Sequence, residues 1–119
     1  MISLYTEELS NVIIIHASGA LTLETLKEAE DVWHEELDKC PEILAFDLRE
    51  IIDIDSISIN HLFKLAKMAA EKTVKLIICD TNEHLENIFD VIKLNRVITI
   101  MPKQKFYDEY IRREYPGGL

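Results

Sequence analysis

The chain has 119 residues, enough for one domain with a real hydrophobic core and little to spare for a second. Its 48% of apolar residues is ordinary for a globular protein, and its net charge is −9. That charge argues against nucleic acid as a partner, because no basic stripe could neutralise phosphates, and it disfavours an anionic membrane surface. No apolar run approaches the ~20 residues of a membrane helix, and the N-terminus lacks the basic region of a signal peptide. The expected location is the cytoplasm. Cys40 and Cys79 read as two small buried hydrophobes, with no disulfide and no zinc site between them.

Residues 2–9 and 12–17 read as strands of a hairpin turning at Ser10 and Asn11. Val12, Ile13, Ile14 and Ile15 form a continuous β-branched run, as in a strand covered on both faces. Gly19 is expected to break it. Thr22 is the expected N-cap of a first helix, although Thr25 stands where a capping box needs Glu or Gln. Leu23, Leu26, Trp33, Leu37 and Cys40 recur at spacings that fit one face of that helix, and Pro41 stops it.

Residues 43–48 form the next buried strand, and a short acidic loop leads from it to Ser56. The second helix turns Ile59, Leu62, Phe63, Ala66, Ala69 and Ala70 inward. Residues 74–79 are another buried strand. Asn82 caps a third helix whose apolar stripe is Leu85, Ile88, Phe89 and Ile92. Asn95 and Arg96 turn into a short strand at residues 97–100. Pro102 ends it, and a last helix covers roughly residues 104–115 with Phe106, Tyr110 and Ile111 as its apolar face. Residues 116–119 read as a flexible tail.

The order is therefore β-β-α-β-α-β-α-β-α. Such alternation predicts an α/β fold with right-handed crossovers and a mixed, mostly parallel β-sheet, with about four α-helices packed against it. The strands at 12–15, 43–48 and 74–79 should be adjacent and central, with 2–9 at an edge. Phe46, Leu62, Phe63, Ile77 and Phe89 should be deeply buried. With no linker and no internal repeat, residues 1–119 read as a single domain.

The chemistry concentrates where Asp55 and Ser56 open the second helix. A serine there has two readings. Its hydroxyl can cap the helix by accepting an orphan amide, worth about 1 kcal/mol, or it can accept a phosphate, which the helix dipole would favour. On residues alone the cap is the favoured reading. Ile57, His61, Lys64 and Met68 follow at helical spacing on the side away from Leu62, Phe63 and Ala66. They suggest a contact patch as readily as ordinary scattered surface residues.

Asp47, Asp53, Asp55 and Asp80 lie at or near strand ends, where ligands and metals bind in open α/β sheets. A receiver domain phosphorylated on aspartate uses such residues. It needs a paired acidic dipeptide after its first strand and a lysine after its last, and here Ser18 and Gly19 follow the run 12–17. His16, His34, His61 and His84 fall on four different elements without ligand spacing. No Gly-rich phosphate loop and no nucleophile with its base is evident. Tyr107, Tyr110 and Tyr115 read as packing and rim of the last helix. The expectation is a protein that is not an enzyme and needs no metal or cofactor.

The pattern resembles the STAS domain, the fold of bacterial anti-sigma factor antagonists. The stretches that carry the resemblance are Gly19-Ala20-Leu21, Phe46-Asp47-Leu48, Asp55-Ser56-Ile57-Ser58-Ile59, Leu76-Ile77-Ile78-Cys79, and Ile88-Phe89 through Leu94-Asn95-Arg96-Val97. It covers nearly the whole chain. In that family the serine after the aspartate is phosphorylated by a partner that is both anti-sigma factor and kinase, which implies phosphorylation at Ser56, or less readily Ser58. The resemblance favours the switch over the simple cap. It implies a partner-binding surface of Asp55, Ser56, Ile57, Ser58, Asn60, His61 and Lys64. It further implies a phosphatase to reverse the switch, and a chain that is a monomer or weak dimer. The sequence departs from the family at Ile57 and Ser58, which replace a serine and a glycine, and at Asn60, which replaces a further common glycine. The alternative is a STAS scaffold that binds without being phosphorylated.

Overall fold

A computed structural model describes residues 1–111. β1 (Ile2–Leu9) and β2 (Val12–Leu21) form an antiparallel hairpin that closes at Leu9 opposite Val12. Ser10 takes φ 59°, the left-handed geometry favoured in tight hairpin turns. Then come α1 (Leu26–Asp38), β3 (Ile43–Ile54), α2 (Ser56–Glu71), β4 (Lys75–Asp80), α3 (Glu83–Ile92) and β5 (Thr99–Ile100). α4 (Lys103–Phe106) runs on into a π-helical turn at Tyr107–Ile111. The strand order is β1-β2-β3-β4-β5, and every pairing after the hairpin is parallel. This is the expected mixed sheet with four helices, its three apolar strands adjacent and β1 at the edge.

Period-two alternation divides the core. On one face Ile13, Ile15, Leu44, Phe46, Leu76 and Ile78 meet Trp33 and Leu37 of α1, Leu62 and Leu65 of α2, and Leu85 and Phe89 of α3. On the other, Val12, Ile14, Ile43, Ala45, Ile77 and Cys79 lie with Met101 and Phe106. Ile14 and Ile15 are both fully buried, so β2 is covered on both sides.

Several boundaries differ from the expected ones, each for a local reason. Gly19 does not break β2. It takes φ 102° where the β2–β3 register shifts, and the strand continues through the irregularity to Leu21. A Cβ at Gly19 would collide with the carbonyl oxygen of Met1. Thr22 is not a cap. Its amide donates to the Thr25 hydroxyl, which donates on to the Ala20 carbonyl. This side-chain turn delays α1 to Leu26. Cys40 lies beyond the helix at φ 50° and is exposed. Of the two cysteines only Cys79 is a buried hydrophobe.

The acidic loop after residue 48 is strand. β3 runs on to Ile54 because Ile51, Asp53 and Ile54 pair with Gly19, Ala20 and Leu21, and Ile51 and Ile54 are buried. On α2, Leu65 is fully buried while Phe63 is only half-buried and Ala70 is exposed. Phe63 packs at the margin of the core because the helix stripe is centred on Leu62, Leu65 and Ala69. The short last strand is confined to Thr99–Ile100, since Leu94–Arg96 form a 3-10 turn. Tyr115 and the tail at 116–119 lie outside the described residues.

Candidate functional site

The extension of β3 carries the chain to Asp55, which leaves the strand at φ −106° and ψ 170° and caps α2. One carboxylate oxygen accepts the Ser58 amide at 2.9 Å. The other accepts the Leu23 amide at 2.8 Å, reaching across 32 residues of sequence to the β2–α1 turn. The Asp55 amide donates to the Leu21 carbonyl at 3.3 Å. Partial burial pulls the Asp55 carboxyl upward, but the amide hydrogen bonds from Ser58 and Leu23 outweigh it and hold the pKa below the usual carboxylate range. The cap is thus Asp55, not Ser56. Capping by aspartate leaves Ser56 as the first helical residue, with its side chain exposed.

Ser58 is different. It has no exposure, and its hydroxyl is buried with it. Ile57, 42% exposed, faces outward beside Ser56, as do Asn60, Lys64 and Met68. His61 is half-buried, and its Nδ1 lies 2.9 Å from Glu30 of α1. The same carboxylate lies 4.0 Å from His34, so α1 and α2 bring two histidines to one acid that spacing alone kept apart. Among the described residues no group of three potential ligands could hold a metal ion.

The four aspartates divide into two pairs. Asp47 and Asp80 are partners across β3 and β4. Asp53 and Asp55 lie beyond them, on the far end of β3 and at the α2 cap. Two apolar residues near Ser56 were missed by the sequence reading. Leu23, 61% exposed, is held near the α2 cap by its amide bond to Asp55, and Ile52, 75% exposed, stands on the β3 extension. Neither carries a local signal, because their proximity depends on a contact between distant segments.

The sequence profile of the STAS domain matches residues 3–108. The chain belongs to the STAS domain family. Solved structures agree in fold. A putative anti-sigma factor antagonist from Thermotoga maritima is 20% identical, with 92% of this chain and 95% of that one covered and a TM-score of 0.81. An anti-sigma factor antagonist from Mycobacterium paratuberculosis is 16% identical over 86% of each chain, with a TM-score of 0.75. The Bacillus cell fate determinant SpoIIAA in its phosphorylated form is 9% identical, with 89% of this chain and 97% of that one covered and a TM-score of 0.67. No curated protein matches the chain. STAS domains of this kind are in general binding modules rather than enzymes. No helix of the described residues is long and apolar enough to cross a membrane.

Proposed function

We propose that this STAS domain is a cytoplasmic anti-sigma factor antagonist, a non-enzymatic module that binds an anti-sigma factor or serine kinase and is switched by phosphorylation of Ser56. The partner docks on the start of α2, through Asp55, Ser56, Ile57, Asn60, His61 and Lys64; Ser58, expected on the same surface, is buried and takes no part in it. A phosphatase restores the binding form. The observation that carries this reading is the contrast between the two serines: Ser56 is exposed in the first turn of α2, and Ser58 is sealed in the core. A kinase active site must reach the hydroxyl, so exposure selects Ser56 as acceptor. Phosphate there adds about 1.5–2 negative charges beside the Asp55 carboxylate. The helix N-terminus tolerates that charge, so its main effect falls on the docked partner.

A second reading, a scaffold that binds without modification, is favoured by Ile57. This large apolar side chain stands exposed next to Ser56 and suits a docking contact in either state. Phosphosite mapping by mass spectrometry, on the protein isolated from its own cells, separates the readings. Acid-stable phosphate on Ser56 is the expected result. Phosphate only on Ser58, or none under any growth condition, overturns the switch. A hydroxylamine-labile phosphate would place the modification on an aspartate instead, as in a receiver.

A further inference from the structure

A second site lies away from Ser56, where β4 ends and α4 begins. An open cleft of about 440 Å³ is lined by Arg49 of β3, Asp80 at the end of β4, Lys103 and Gln104 of α4, and Tyr107 of the π-helical turn. That volume is in the range of small-molecule sites, and the carboxyl ends of the strands are where open α/β sheets place ligands.

The charges around it are unusual for a chain of net charge −9. The Arg49 side chain pairs with its neighbour Glu50, at 3.4 Å, its amide donates to Asp47 at 3.2 Å, and Lys103 lies 5.8 Å from the centre of the Tyr107 ring. Among the described residues neither Lys103 nor Asp80 makes an ion pair; Asp80 accepts only the Thr81 amide, at 3.0 Å. Two cations and a carboxylate therefore share one cleft without neutralising each other. Of the other acids nearby, Asp47 and Glu7 lie 2.8 and 2.9 Å from the two ring nitrogens of His16, and neither pairs with the Arg49 or Lys103 side chain. Burial, with the negative charges of Glu7 and Asp47, pushes the Tyr107 phenol up, so it stays a neutral donor. A second cleft of about 290 Å³ shares Asp80 and is lined by Glu86 and Asp90 with Thr81 and Asn95, a wall that repels anions and accepts hydroxyl groups.

We propose that this cleft binds a small hydroxylated phosphate ester, its phosphate between Arg49 and Lys103 and a hydroxyl donating to Asp80. A guanidinium and an ammonium together match the two charges of a phosphomonoester. The polarity of the two clefts sets the orientation, with the phosphate at the cationic end and the hydroxyls towards the acidic one. This site is independent of the docking surface on α2.

The test is titration of the intact protein with glucose 6-phosphate, inorganic phosphate and glucose, followed by backbone amide NMR. Saturable shifts centred on Arg49, Asp80, Lys103 and Tyr107 are expected with glucose 6-phosphate, weaker binding with phosphate, and none with glucose. Arg49→Ala and Lys103→Ala should each weaken glucose 6-phosphate about tenfold. Asp80→Ala should weaken glucose 6-phosphate relative to phosphate, whose own affinity should not fall once a neighbouring negative charge is gone, and Ser56→Ala should change neither. No saturable shift, shifts centred elsewhere, or unchanged affinity in Arg49→Ala and Lys103→Ala overturns the site. Equal affinity for phosphate and glucose 6-phosphate overturns the hydroxyl contact. Because Ser56→Ala keeps the cleft intact, these results stand or fall separately from the phosphorylation reading.

Discussion

Asp55 joins three segments through one carboxylate: it ends β3, caps α2 and holds the β2–α1 turn by the Leu23 amide. Asp55→Ala removes both acceptors and leaves two amides without them, so it should cost about 1–2 kcal/mol in urea unfolding at pH 7. The sign of the pH dependence follows from the lowered pKa. The folded carboxyl binds protons more weakly than the unfolded one, so its stabilisation is complete above the ordinary value of about 3.9. It is lost as the pH falls through the lower folded value. The difference between wild type and Asp55→Ala should therefore shrink as the pH falls below the ordinary carboxylate range, and a penalty that grows on acidification would refute the assignment. Ile57, one residue past Ser56, makes a different prediction. It is already 42% exposed, so Ile57→Ser should leave the melting temperature nearly unchanged. It should weaken the partner complex by about 1–2 kcal/mol if the side chain is desolvated there. Ser56→Asp should weaken the same complex by charge. Calorimetry with the isolated partner reads both; a large fall in melting temperature with unchanged affinity would place the docking surface elsewhere.

At the scale of the element, α2 differs from its expected burial by a small rotation with a measurable consequence. Leu62 is 1% exposed, and Phe63 lies half-buried at the edge of the core. Leu62→Ala should cost about 2–5 kcal/mol, whereas Phe63→Ala should cost about 1–2 kcal/mol, although it removes the larger side chain. Denaturant midpoints of the two variants give the order directly. The reverse order would mean that the stripe runs through Phe63. β3 carries the same lesson. Its first six residues alternate only weakly because both faces are covered, so they read as a strand from apolarity alone. Its last residues, from Arg49 to Ile54, look like a polar loop in the sequence. They become strand because the extended β2 supplies a partner.

At the scale of the whole molecule, the sheet is covered on both faces, and the second cover is slight. α4 and its π-helical turn place Phe106 over Ile14, Ala45 and Cys79. Burial and the charges of Asp47 and Asp80 push the Cys79 thiol up to about 12, while Cys40 is exposed in the α1–β3 turn. Native protein at pH 8 should therefore react with iodoacetamide at Cys40 alone, because the thiolate of Cys79 is present at about one part in ten thousand. Cys79 should be labelled only in denaturant. Labelling of Cys79 at the Cys40 rate would mean that the cover over this face opens freely.

The apolar runs of β2, β3 and β4 and the helix stripes between them determined the α/β class, the strand neighbours and the Asn82 cap from sequence alone. These signals are local: hydrophobic periodicity and short-range hydrogen bonding act over a few residues, so composition and spacing carry them. The family's Asp-Ser pair likewise marked the start of α2. What the tertiary structure decided depends on partners distant in the chain. Strand pairing carried β2 past Gly19 and β3 past Leu48, a tie to Leu23 gave Asp55 a second role, and the packing angle of α2 chose Leu65 over Phe63. The cleft between Arg49, Asp80 and Lys103 is of this second kind. Its residues are scattered over more than fifty positions of sequence, and only the parallel order of β3, β4 and β5 brings them to one end of the sheet.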